Sequence, residues 1–137
     1  MNTKAPYNIS TPTASLALSA LSPSAVAAMR EKVSKLTASR KSLLASLAEL
    51  APLGLGPSIG GNEANFVVVP VLEKNGSGLP DSARAQKIYK TLAEEGGVVV
   101  RYRGNEPGCA GGLRVTVGTD EENAELLRKL RKLLESL

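Results

Sequence analysis

Two arginine-bearing segments hold most of the chemistry in this chain. Gly112-Leu113-Arg114-Val115-Thr116-Val117-Gly118 alternates, so Leu113, Val115 and Val117 fall on one side of a strand and Arg114 with Thr116 on the other. A guanidinium in so apolar a strand is costly unless it meets an anion. Just upstream, Val98-Val99-Val100-Arg101-Tyr102-Arg103 reads as a second strand with arginines at alternate positions. The short loop from Gly104 to Gly111 would join the two as a hairpin that gathers positive charge on one face. Such a face receives a carboxylate or a phosphate. The residues alone leave a second reading open, in which Arg101 and Arg114 are surface groups neutralised by Glu63, Glu106 or another acid. Arg103 reads as solvent-facing or ion-paired.

Other side chains offer less. There is no histidine and a single cysteine, Cys109, so zinc sites, disulfides and histidine-dependent triads are excluded within one chain. Cys109 lies in a glycine-rich loop with no base nearby and reads as an incidental thiol. Asp81 and Glu122 stand where helices need caps, and no catalytic residue and no metal site are assigned. Gly54, Gly56, Gly60 and Gly61 superficially resemble a dinucleotide-binding turn. Their spacing is wrong, Pro57 interrupts them and they follow a helix, so the segment reads as a linker.

At 137 residues the chain is one domain, short for a complete enzyme of most α/β classes. Its net charge of +4 arises entirely in residues 1–60, which hold six basic and two acidic side chains against eleven of each beyond. The few aromatics, Tyr7, Phe66, Tyr89 and Tyr102, make no stacking platform, so no nucleic-acid partner is expected. No apolar run approaches the ~20 residues that span a bilayer. The Ala/Ser-rich stretch 13–29 is interrupted by proline and serine and is read as mature protein. A cytoplasmic location is expected.

The elements that must carry the arginines follow from caps and periodicity. Residues 1–12, with Pro6 and Pro12, read as an extended arm, and a short Ala/Leu helix follows from Thr13 to Leu21. Ser22-Pro23 starts a long helix to Leu50. Its apolar residues Val26, Met29, Val33, Leu36, Leu43, Leu47 and Leu50 keep three-and-four spacing, broken only at Arg40. At about 1.5 Å per residue it is a rod of roughly 40 Å, of the kind that connects domains. Asn65 to Leu72 reads as a strand covered on both faces. Asp81 caps a helix burying Ala85, Ile88 and Leu92 and ending at Gly96-Gly97. After the two arginine strands, Thr119 and Glu122 form a capping box for a helix from Asp120 to Ser136, with Leu127, Leu130, Leu134 and Leu137 as its buried stripe. The predicted fold is α+β: an arm and short helix over 1–21, a connecting helix over 22–50, and a small β-α-β-β-α layer over 62–137.

These motifs carry a resemblance. Lys4-Ala5-Pro6-Tyr7-Asn8-Ile9-Ser10, Ala64-Asn65-Phe66, the run Gly97 to Gly104 and the run Gly112 to Gly118 occur in order and spacing similar to the C-terminal part of the histidinol-phosphate aminotransferase family, particularly its fungal forms. The similarity covers nearly the whole chain. It implies a fold type I enzyme that uses pyridoxal phosphate, works as a homodimer, and moves an amino group between glutamate and imidazole-acetol phosphate in histidine biosynthesis. It also implies that Arg114 binds the substrate's anionic group, that Arg101 lines the site toward the phosphate, and that Asn65 sits near it. Where fungal members usually have a second cysteine, this chain has Gly112. The family's cofactor lysine lies in a Ser-Lys motif ahead of a Gly-Ala-Gly-type turn, which does not occur here. Lys4 belongs to the arm and is not that lysine. The expectation is therefore a piece of the enzyme, beginning just after the cofactor-lysine region at an internal Met1. Alone it is not expected to bind the cofactor stably or to be active. Its partners are expected to be the large domain, a second subunit, and phosphorylated amino-alcohol and glutamate substrates. The alternative is a free-standing module that binds a small anionic effector.

Overall fold

The computed structural model describes residues 8–137. The expectations for Lys4, Tyr7 and the first seven residues of the arm lie outside them. The chain divides into two units, residues 1–35 and 36–137.

In the first unit, helix α1 (Thr11–Ala20) starts two residues earlier than expected. Ser10 caps it, its side chain accepting from the Thr13 N–H, and Pro12 sits in the first turn, where a missing N–H costs no helical bond. No residue of α1 is buried, and Leu16, Leu18 and Leu21 are exposed. Helix α2 (Pro23–Ala48) opens behind Ser22, whose hydroxyl accepts from the Ala25 N–H. Met29 and Val33 in its first half are exposed.

The second unit holds the core. A 3-10 turn (Ala51–Leu53) leads to β1 (Phe66–Pro70), then α3 (Ser82–Glu94), β2 (Arg101–Tyr102), β3 (Gly112–Thr116) and α4 (Asp120–Ser136). The order β-α-β-β-α stands as read from the sequence. The sheet order is β1-β3-β2, antiparallel throughout, so β3 is central. One face, with Val67, Val69, Leu113 and Val115, packs against Ala85, Ile88 and Leu92 of α3 and Leu126, Leu130 and Leu134 of α4. Leu43, Leu47 and Leu50 close the same core. The α4 stripe runs through Leu126; Leu127 and Leu137 are only half-buried. A stripe drawn by leucines alone cannot say which of two adjacent ones faces inward.

Three further expectations change. β1 is covered on one face only, because Phe66 and Val68 remain half-open. The segment read as a plain linker instead borders β1: Leu55 and Ile59 bridge to Val71 and Val68, and the Gly56 and Ile59 N–H groups donate to Pro70 and Val68. That protects a sheet edge. Finally, Val98 to Val100 do not join β2. Gly97 takes a positive φ of 62°, and the Val98 N–H returns to the Leu92 carbonyl to finish α3. The chain thus leaves the helix apart from β3 and pairs with it only from Arg101.

Candidate anion-binding face

The sheet's second face carries the charge. Arg114 of β3 lies opposite Val68 of β1 on one side and Arg101 of β2 on the other, so one rung of the sheet reads Val68–Arg114–Arg101. Directly opposed residues in antiparallel strands have Cα atoms about 4.5–5.5 Å apart. Two cations therefore stand side by side, Arg114 half-buried and Arg101 exposed. The alternation that places Leu113 and Val115 in the core leaves Arg114 no choice of face.

The acids that would neutralise this pair are engaged elsewhere. Glu106 holds Arg103 at 2.7 Å, and Glu63 lies 3.6 Å from Arg40. Among the described residues neither Arg101 nor Arg114 has an ion pair. The Arg114 Nε is buried without a hydrogen-bond partner, and the guanidinium carbon lies 5.1 Å from the centroid of the Phe66 ring. Adjacent unneutralised guanidiniums, one of them over an aromatic ring, are suited to holding a multiply charged anion by forked, charge-assisted hydrogen bonds.

Asn65 stands apart from the rung. It is exposed, one residue ahead of β1, and its carbonyl accepts from the Val117 N–H at 2.9 Å. Its position is fixed from behind by Arg40, which is nearly buried and donates to the Ala64 carbonyl at 2.8 Å. The break that Arg40 makes in the α2 stripe was the visible sign of that contact. The far end of β3 is tied likewise: Ser39 donates to the Gly118 carbonyl, and the buried Asn123 both accepts from the Gly118 N–H and donates to Ser39. Sequence gave no sign of that network, nor of Phe66 beneath Arg114, since both depend on which strands pair.

A cleft lined by Val98, Val99, Thr116, Glu121, Glu122 and Lys129 opens where β2 and β3 part. Its carboxylates make it a poor anion receiver, so the rung is the better candidate. Cys109 is half-buried and free, and Asp81 and Glu122 cap α3 and α4 as expected. No lysine stands on β1, β2 or β3.

Comparison with known proteins gives this geometry a context. The profile of the family Aminotransferase class I and II matches residues 1–130. Histidinol-phosphate aminotransferase of Schizosaccharomyces pombe is 43% identical over 132 residues, 96% of this chain and 34% of that protein. The enzyme of that name from Saccharomyces cerevisiae is 43% identical over 136 residues, 98% of this chain and 33% of the other. The chain thus spans about a third of the length of these relatives. Among solved structures, histidinol-phosphate aminotransferase from Sinorhizobium meliloti in complex with pyridoxal-5'-phosphate superposes with a TM-score of 0.57 at 24% identity, over 74% of this chain and 24% of that one. A phospholyase from Arthrobacter in complex with phosphoethanolamine gives 0.62 at 23%, over 82% and 28%. At these identities the structural likeness is one of fold.

Proposed function

This chain belongs to the aminotransferase class I and II family, and on that premise we propose that it is the C-terminal, substrate-side part of a histidinol-phosphate transaminase. The complete enzyme exchanges an amino group between histidinol phosphate and 2-oxoglutarate, yielding imidazole-acetol phosphate and glutamate, as a cytoplasmic homodimer in histidine biosynthesis. Pyridoxal phosphate supplies the electron sink for that exchange and is held by residues outside this sequence, so this chain alone is not a transaminase. The arm over 1–21 belongs with the large domain, 22–50 connects, and 62–137 is the small domain.

The observation that carries this reading is the Val68–Arg114–Arg101 rung, whose two guanidiniums have no acid to neutralise them among the described residues. A phosphorylated amino alcohol brings a dianion that the pair matches in charge. Arg114 holds the anion through its fork, Arg101 completes the neutralisation, and Asn65 lends a polar group at the end of the neighbouring strand. These residues bind and orient; none of them moves a proton. The exposed Ile9, Leu16, Leu18 and Leu21 of the first unit are the surface that the rest of the enzyme covers.

The test is Arg114→Ala and Arg114→Lys in the complete enzyme carrying this sequence. Losing a charge-assisted pair in a desolvated site costs about 2–5 kcal/mol, so kcat/KM for histidinol phosphate should fall by tens- to thousands-fold. Lysine keeps the charge and loses the fork, so it should not rescue. The thermal midpoint should stay nearly unchanged, since folding rests on the opposite face. Near-normal turnover, or unfolding, would make the arginine structural. One observation favours the second reading, a free-standing effector module: residues 36–137 form a unit with its own core. Phosphate binding by that unit, with no transaminase activity from the complete reading frame, would establish it.

A further inference from the structure

Phe66 is the residue beneath Arg114. It opens β1 opposite Thr116, one diagonal step from Arg114, and Val68 directly opposite Arg114 extends the apolar bed. At 5.1 Å from the ring centroid, the Arg114 guanidinium carbon is inside the range of about 6 Å over which a ring's quadrupole attracts a cation. The Nε is buried and has no acceptor, whereas neither Nη atom has a partner among the described residues. The inner edge of the guanidinium is therefore closed and its outer edge free.

We propose that Phe66 is a positioning residue for the substrate anion: its ring holds Arg114 so that the anion is received end-on by Nη1 and Nη2, and not side-on through Nε. This rests on Arg114 being the anion receiver. An arginine free to wander must be ordered when ligand arrives, and an aromatic bed that orders it beforehand removes that cost. Phe66 touches no reacting atom and acts only through Arg114.

The experiment compares Phe66→Leu and Phe66→Tyr in the complete enzyme, reading KM and kcat for histidinol phosphate, competitive inhibition by inorganic phosphate, and the melting curve. Phe66→Leu should raise KM and the phosphate inhibition constant by about two- to tenfold, the cost of ordering one long side chain, with kcat nearly unchanged. Phe66→Tyr keeps the ring and should keep both constants. In the R114A background, which has no side-chain cation over the ring, Phe66→Leu should change neither constant further. Should the leucine variant melt early, Phe66→Met serves as the non-aromatic replacement. Unchanged constants in the folded leucine or methionine variant would overturn the proposal. So would loss of binding in Phe66→Tyr, or an equal loss from Phe66→Leu in both backgrounds. An Arg114→Ala enzyme with normal KM would instead overturn the parent reading, whatever Phe66 does.

Discussion

Replacing Arg84 by methionine keeps a long unbranched stem in the core and removes a buried cation with three hydrogen bonds. From the first turn of α3 its guanidinium donates to the carbonyls of Leu72 at 2.7 Å, Leu53 at 2.9 Å and Leu134 at 2.7 Å. These belong to the loop after β1, the 3-10 turn and the last turn of α4. The Leu134 carbonyl is one of the orphans that end every helix, and a cation there also meets the negative end of the helix dipole. Gly54 makes room: a Cβ on it would lie 2.5 Å from the Arg84 Nη1. Burial lowers the Arg84 pKa, and Asp81 partly offsets this. Hydrogen bonds to a charged group contribute about 1.5–3 kcal/mol each, and relief of the buried charge returns part of their sum, so the net loss should be about 2–4 kcal/mol. For a domain of this size that lowers Tm by roughly 10–30 °C. Arg84→Lys should recover little, because one ammonium cannot reach three carbonyls. Circular-dichroism melts, with guanidinium-chloride midpoints to check that m is unchanged, measure both. A methionine variant melting within about 3 °C of the parent would show that the clamp contributes almost nothing net and refute the reasoning.

Two further outcomes are expected. Glu125 accepts from Arg128 at 2.8 Å and pairs with Lys129 at 2.6 Å, and these partners hold its pKa at about 2 instead of 4.5. Because the folded value is depressed, the stabilisation is present above 4.5 and lost as pH falls toward about 2. Glu125→Gln should flatten the Tm profile in that window, with a difference that shrinks in high salt because the group is exposed; an unchanged acid limb at low salt would refute the pairing. The isolated chain, with Ile9, Leu16, Leu18, Leu21 and Met29 in water, should self-associate or brighten a hydrophobic dye, since each such side chain forfeits about 1.5–3 kcal/mol. A monomeric, dye-silent protein would show that these residues await no partner.

What could be read from the sequence was whatever local chemistry decides. Thr119 and Glu122 fixed the start of α4, because a capping box needs only four consecutive residues. Asp81 did the same for α3. The side of β3 on which Arg114 falls follows from strict alternation. What depended on distant partners was not legible. Arg84 falls four residues before Ile88 on the buried side of α3, but nothing local says that its guanidinium meets three carbonyls from other elements. The shortness of β2 comes from a bond between Val98 and Leu92 that competes with pairing to β3. The bed beneath Arg114 exists only because β1 lies beside β3, which no pattern in either strand announces.

That strand order also fixes a sequence of events during synthesis. The middle position of the sheet is filled by β3, the last strand to be made, and both flanking strands precede it. Until Gly112 to Thr116 leave the ribosome, β1 is bordered only by the Gly56 and Ile59 bonds along its outer edge, and β2 has no sheet partner. Pairing must then close across all of α3, which makes sheet formation a late, non-local step. A chain stalled before Gly112 presents two unpaired edges to its neighbours, and the face that carries both arginines does not exist in it.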